Sequence, residues 1–494
     1  MKVGLKILGG YTFLGGAEGV SNGCMFVRNL ILARLLSKED FGIAATLALV
    51  VSLFELTSKM SFGQQVIQSK SGDDPVFVES AHACQGLSGV LDGLLILVFS
   101  YPLAHWFGME AHRSALMLMS IIPLSAGFRS LENYRLLRHM RFGPLVYTDT
   151  MPQVMITVAA WPLAAWLRDY RAILSLLLVK AIASLVISHV VAERPYRLRW
   201  EPKLLRENLS FSYPLILSGF LMFGVFQGDR MLVAGAYSLA DLGAYAVAST
   251  IAMTPCFIIF RIFGTGTLPV MARVQNDPVR FNTYYRLYLQ GLALCAALFV
   301  VTMVLTGETI VTFLFGAKYQ DAAVVAVWLA VGQGCRMLRG APATAAMARG
   351  DTVNTLVSNL WRISGLLLAV PVVFLKWDLC WVAITGGIGE MLALLASLMR
   401  LRWKHGILLR ESLLPGSLVV LMALGAFLAR EVFAFGSTLG QITLAGAAAS
   451  FSIALFAILF PDFRQTSFSL LAEVKLKLKE AVKTVRLRVV TWRT

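Results

Sequence analysis

Apolar runs as long as a bilayer is thick set the limits on what this chain can fold into. A hydrocarbon core about 30 Å across takes roughly 20 residues of helix. Fourteen stretches of that kind follow one another between 8–33 and 438–460. Composition agrees: 57% of the residues are hydrophobic and only 15% charged, where a soluble domain carries roughly a quarter charged. The expectation is an all-α membrane protein of about fourteen transmembrane helices. Pro214, Pro255 and Pro342 fall inside runs, where neighbouring helices can satisfy the carbonyls that a proline frees.

A net charge of +16 would suggest nucleic acid as the partner of a soluble protein. Here the basic residues lie between apolar runs, which points to the positive-inside bias of membrane loops and to no nucleic acid. With both termini cytoplasmic, 27 lysines and arginines fall on the inside and eight on the outside. The opening MKVGLK precedes an apolar run that carries Glu18 and Asn22 and lacks a small-residue cleavage site; it reads as a first membrane helix that stays. The six cysteines sit inside apolar runs without a C-x-x-C pair, so buried small residues are expected rather than metal ligands. No cofactor is implied. Beyond 461 apolar residues recur at helical spacing opposite Lys475, Lys479, Lys483 and Arg486. That pattern suggests a basic amphipathic helix on an anionic leaflet, although LysLeuLysLeuLys at 475–479 also fits a strand alternation.

Two stretches nearly repeat. LARLLSKEDFGIAAT at 32–46 and VAGAYSLADLGAYAV at 233–247 share Ala33/Ala234, Ser37/Ser238, Asp40/Asp241, Gly42/Gly243 and Ala45/Ala246 at an offset of 201. Phe62-Gly63 meets Phe263-Gly264 at the same offset. Further along, Phe107-Gly108 meets Phe315-Gly316 and Arg141 meets Arg349 at an offset of 208. Spans one to six are thus repeated by spans seven to twelve. Six is even, so both copies run in one direction and should be related by an axis along the membrane normal, as in transporters built from two like lobes. The organisation expected is an N-lobe at 1–207, a C-lobe at 208–405, two added helices at 406–460 and a basic tail at 461–494.

The segment RPYRLRWEPKLLRENLSFSYPLILSGFLMFGVFQGDRMLVAGAYSLADLGAYAVAST resembles the centre of polysaccharide-transport flippases. These belong to the multidrug/oligosaccharidyl-lipid/polysaccharide exporter superfamily. LARLLSKEDFGIAA with FGQQVIQSK resembles their first hairpin, and LLRHMRFGPLVYTD the loop after span four. The resemblance covers nearly the whole chain, is nearest the rhizobial exopolysaccharide exporters of the succinoglycan type, and carries no catalytic motif. It implies a flippase for polyprenyl-diphosphate-linked oligosaccharide in a bacterial inner membrane, working beside a polysaccharide polymerase and export machinery.

Ionisable groups inside spans face a cavity or a partner, or snorkel to the headgroups. A doubly anionic diphosphate headgroup suits arginine forks. Arg336 and Arg339 lie at i and i+3 of span ten, and Arg129 holds nearly the matching place in span four. With Arg261 and Arg362 they are the candidates for headgroup binding. Glu18, Asn22 and Asn29 form a polar stripe on span one, beside a Gly15-x3-Gly19-x3-Gly23 ridge that would let another helix approach. Arg28-Asn29 aligns with Asp229-Arg230 at offset 201. Arg28 and Asp229 are therefore gate candidates, pairing across the lobes, with Arg230 beside them; the alternative is that both arginines reach outward and Asp229 neutralises Arg230. Lys180 and Glu132 are expected to snorkel or to pair structurally.

Other cargoes fit this frame. A drug/cation antiporter or a lipid-linked peptidoglycan precursor flippase would share the architecture. A membrane polymerase would need a long outside loop with catalytic groups, and no outside loop is long. The chain has no G-x-x-x-x-G-K-[ST] and so no P-loop for ATP. The energy source stays open between an ion gradient, with Glu18 or Asp92 as carboxylates, and the pull of downstream polymerisation.

Overall fold

A computed structural model describes residues 2–55, 62–407, 409–433 and 438–466. Within these it describes all side chains except those of 2–12, 207–218, 261–262, 264–266 and 409. The expectations for the tail after 466 and for the side chain of Arg261 lie outside the described residues.

Every regular element among the described residues is helical. In order these are α1 (Lys2–Leu35), α2 (Lys38–Phe54), α3 (Phe62–Gln68), α4 (Pro75–Trp106), α5 (Arg113–Leu118), α6 (Ile121–Gly127), α7 (Glu132–Arg138), α8 (Gly143–Leu167) and α9 (Arg171–Val190). The second half holds α10 (Pro202–Ala236), α11 (Leu239–Arg273), α12 (Pro278–Phe315), α13 (Ala322–Ala348), α14 (Val353–Phe374), α15 (Leu379–His405), α16 (Leu409–Phe433) and α17 (Thr438–Leu459). Among the described residues ten helices are long and apolar enough to cross a membrane, and the bent run α5–α7 makes eleven. Helices α1, α2 with α3, and α10 stand at the remaining three expected positions. Prolines open α4, α10 and α12, where the missing N–H has no helical partner to lose.

The duplication is visible in the helix ends. Ser37 and Ser238 cap α2 and α11: each Oγ accepts the N–H of the aspartate three residues on, Asp40 at 3.0 Å and Asp241 at 3.1 Å. Arg168 and Lys376, 208 apart, end α8 and α14 in the left-handed conformation at φ 55° and 54°. Gly108 and Gly316, also 208 apart, take positive φ after α4 and α12. One turn drifts further. The left-handed residue after α7 is Met140 and after α13 is Gly350, so Arg141 matches Asp351 in structure rather than Arg349.

Span four differs from its counterpart. It bends by 43° between α6 and α7, whereas α13 runs unbroken. Bare backbone at this depth needs partners, and α4 and α9 supply them. The Gln85 side chain donates to the carbonyls of Ala126, Gly127 and Arg129 at 3.0–3.2 Å. His82 accepts the Leu131 N–H at 2.9 Å, Ser188 Oγ accepts the Ser130 N–H at 3.1 Å, and His189 faces the Phe128 carbonyl at 3.0 Å.

The chain packs as two compact units. The first comprises Met1–Ile251, Val311–Ala326 and Leu366–Gly386; the second comprises Ala252–Ile310, Val327–Gly365 and Gly387–Thr494. The first unit thus holds α1–α10 together with the ends of the second repeat that carry the α10–α11, α12–α13 and α14–α15 turns. In the second unit Tyr285, Phe281, Leu292, Met337 and Phe456 form one buried core. The two added helices join it there. Trp328 stacks on Phe427 at 5.4 Å, and Tyr285 Oη meets Ser412 Oγ at 2.7 Å. In the first unit Trp106, Trp166, Trp377 and Trp381 lie exposed at helix ends, positions where indoles settle at membrane–water boundaries.

Candidate functional site

Within the first unit the two copies of the opening hairpin meet. A Cβ on Gly42 would stand 1.7 Å from the Leu239 carbonyl oxygen, and one on Gly243 would stand 2.2 Å from that of Lys38. Leu239 is Lys38 displaced by 201, so each glycine meets its partner's symmetry mate, as a local two-fold axis requires. Only glycine admits backbone this close. Around the seam Lys38 Nζ pairs with Asp321 at 2.6 Å, Arg34 Nε donates to the Leu314 carbonyl at 2.6 Å, and Lys318 donates to the carbonyls of Arg34 and Leu36. Phe41 packs edge-on against Tyr319. Burial of Lys318 lowers the pKa of its ammonium, while the Asp40 carboxylate nearby works in the opposite direction.

Below that seam lies a pocket of about 160 Å³. Arg28, Asn29 and Ser52 line it from the first repeat, Gln227, Arg230 and Thr250 from the second. Arg28 and Asp229 do not pair here. Arg28 donates to Asn29 Oδ1 at 3.0 Å, while Asp229 accepts from Tyr245 Oη at 2.7 Å and from the Arg230 N–H at 2.8 Å. Tyr245, in α11 after the hairpin, folds back onto α10 and takes the carboxylate.

A larger cleft of about 490 Å³ opens between α1, α8 and α9. Glu18, Ser21 and Asn22 reach it from α1, Asp149, Thr150 and Gln153 from α8, Lys180 and Ser184 from α9. Arg129 enters from the break in span four and donates to Asp149 at 2.9 Å. A neighbouring pocket of about 200 Å³ shares Arg129, Lys180 and Ser184 and adds Glu55. The structure therefore brings Glu18, Asn22 and Arg129 into one charge-lined space. Lys180 lines it too. It sits midway along α9, about 14 Å from either end at 1.5 Å per residue, too deep to snorkel. Glu132 does pair structurally, with Arg135 at 2.5 Å. The Gly15–Gly19–Gly23 ridge meets nothing within 4 Å of its Cβ positions. The packing face of α1 is the one that holds Ser21, bonded to Thr150 at 3.2 Å, and Cys24, whose carbonyl accepts from Thr157 at 3.2 Å.

The remaining candidates converge in the second unit. Arg336 and Arg339 from α13 and Arg362 from α14 surround Glu390 of α15 at 4.0, 3.4 and 2.6 Å. None of the four side chains is more than 11% exposed. Phe257 stacks beneath the Arg336 guanidinium at 5.3 Å. Glycine contacts position the group. Gly387 would bring a Cβ to 3.6 Å from Gly332 Cα, and Gly389 one to 2.6 Å from the Arg362 carbonyl oxygen. These contacts press α15 against α13 and α14. The sequence shows Glu390 as an acidic residue within a span but does not tie it to the three arginines.

A helical membrane protein with a duplicated hairpin seam and charged clusters inside its bundle has the fold of known transporters. The lipid II flippase MurJ in an inward closed conformation matches 90% of this chain and 98% of its own at a TM-score of 0.69 and 15% identity. A multidrug resistance MATE family transporter of the MOP superfamily, inward-facing, matches 81% and 95% at 0.59 and 13%. The family model described as "Polysaccharide biosynthesis protein" matches residues 31–324, and the chain belongs to that family. The succinoglycan biosynthesis transport protein ExoT of Rhizobium meliloti (strain 1021) is 24% identical over 63% of this chain and 63% of its own length. An uncharacterized membrane protein in the cps region of Klebsiella pneumoniae is 18% identical over 71% of this chain and 72% of its own. The family resemblance expected from the hairpin motifs is borne out.

Proposed function

We propose that this protein is a flippase that moves lipid-linked oligosaccharide repeat units for exopolysaccharide or another surface polysaccharide. It carries them from the inner to the outer leaflet of a bacterial inner membrane, without covalent change to the cargo. The observation that carries the reading is an arginine cluster buried inside the helices of a polysaccharide-family membrane chain. Charge at that depth is costly and is retained for a ligand or a partner. A diphosphate is the part of such a cargo least able to cross hydrocarbon alone, and guanidinium forks are the groups that match it. The polar cleft around Arg129 offers hydroxyl, amide and carboxylate groups of the kind that hydrogen-bond sugars. With both termini cytoplasmic, the Gly42–Gly243 seam lies at the outer end, and alternating access requires it to part. The resident partners on this reading are the bilayer and the polymerase and export machinery that take up the delivered unit.

Deleting the gene tests the reading. Lipid-linked repeat units should accumulate on the cytoplasmic leaflet while surface polysaccharide disappears, and both should recover with the intact gene. The likeness to a lipid II flippase supplies the second reading, and accumulation of a lipid-linked peptidoglycan precursor instead would favour it. Accumulation of neither, with raised drug sensitivity, would favour the antiporter.

A further inference from the structure

Among the described side chains, Glu390 is the one carboxylate that three arginines share. Its fit is poor as a hydrogen-bond acceptor. Arg362 Nε stands 2.6 Å from Oε1, yet neither carboxylate oxygen takes an aligned hydrogen bond, and the buried Arg339 Nε donates none. Arg339 spends another donor on Ser358 Oγ at 3.2 Å. Charge attraction holds the group together while the acceptor capacity of the Glu390 carboxylate goes unused. A buried ion pair without aligned bonds repays little of its desolvation.

A phosphate group differs from a carboxylate in two ways that matter here. In the diphosphate of a lipid-linked sugar each phosphorus keeps two non-bridging oxygens in a tetrahedral frame, and the two together carry two negative charges. Three guanidinium groups arriving from two helices suit that shape better than one planar carboxylate. The backbone around them is fixed by the close contacts at Gly332, Gly365, Gly387 and Gly389, so the arginines are held ready rather than gathered by a ligand.

We propose that Glu390 is a resident counter-ion that holds the place of the cargo's phosphate. On binding, a phosphate of the diphosphate lipid displaces the carboxylate from Arg336, Arg339 and Arg362; on release the carboxylate returns. The exchange rests on the flippase reading and adds how that site lets go. Arginines without an internal competitor would hold a diphosphate too long for turnover. With one, the empty state is stabilised and apparent affinity falls by the fraction of sites the competitor occupies. Glu390 therefore acts through the arginines.

The test uses the purified full chain and two probes, inorganic pyrophosphate and farnesyl diphosphate. Glu390→Gln should bind both at least about tenfold more tightly than the wild type and should exchange lipid-linked oligosaccharide between leaflets more slowly. Arg339→Gln should bind both several-fold more weakly. Equal or weaker binding by a Glu390→Gln protein that melts and elutes like the wild type overturns the proposal. If that variant does not fold, unchanged pyrophosphate binding by Arg339→Gln overturns it instead. A tenfold contrast between wild type and Glu390→Gln, in a protein that moves no lipid-linked sugar, would sink the flippase reading and leave the anion exchange standing.

Discussion

Gly42 and Gly243 carry a disproportionate share of the molecule's geometry. A methyl group at either position would enter the backbone of the other repeat, and backbone cannot step aside as a side chain can. Overpacking of this kind costs about 1–3 kcal/mol, and the seam can relieve it only by opening. Gly42→Ala should therefore lower the yield of a thiol cross-link between Lys38→Cys and Asp321→Cys several-fold relative to the same pair in the parent. An unchanged yield would mean that the seam tolerates the methyl.

Asp351 makes a different residue-scale argument. Its side chain is fully buried at the α13–α14 turn, with Arg400 at 2.9 Å and Lys404 at 3.1 Å. Burial pushes its pKa up, but the hydrogen bonds from Arg400 and Lys404 more than offset that and hold it at about 2. The folded value lies below the ordinary 3.8, so the stabilisation is complete above that value and is lost as pH falls through about 2. Melting temperature followed from pH 5 to pH 2 should fall with a component that Asp351→Asn lacks. At pH 7 the same substitution should be destabilising by on the order of 3 kcal/mol.

At the scale of elements, the sequence shows where helices run far better than where one of them breaks. Span four has no proline or glycine pair at its bend; Phe128, Arg129, Ser130 and Leu131 look like any helical residues. The break is stabilised by His82 and Gln85 of α4 and by Ser188 and His189 of α9, tens of residues away, and one-dimensional patterns do not carry such partners. Gln85→Leu keeps much of the volume and removes the donor for three carbonyls. With each orphaned buried group costing about 1–3 kcal/mol, the purified protein should melt several degrees lower and lose transport as Arg129 shifts. A melt within one degree of the parent would show that the bend holds by other means. Lys180 was legible in part: its depth in α9 argues against snorkelling and for the polar neighbour that structural pairing requires. The Arg28–Asp229 pair was not legible, because nothing in the spacing says that Tyr245 reaches Asp229 first.

For the whole molecule, the duplicated hairpin was the most informative feature of the chain. Its offset of 201 returns as the symmetric Gly42–Leu239 and Gly243–Lys38 contacts, and its later drift returns in Arg168/Lys376 and Met140/Gly350. The candidate site was legible as a set of charges but not as its grouping. Of the ten ionisable and polar candidates, eight divide among the Arg129 cleft, the Arg28–Arg230 pocket and the Glu390 cluster, Asp229 is held by Tyr245, and Arg261 lies outside the described side chains. Residue type announces charge; only packing decides which charges share a space.

The flippase reading has buried arginines carry an anionic glycolipid head from one leaflet to the other. Its most direct measurement is leaflet exchange of a polyprenyl-diphosphate oligosaccharide in vesicles that hold only the purified protein. Exchange should be fast with the wild type and should fall at least tenfold when Arg336, Arg339 and Arg362 are replaced together by glutamine in a protein that still folds. Exchange unaffected by that triple replacement, or absent from wild-type vesicles, would contradict the account.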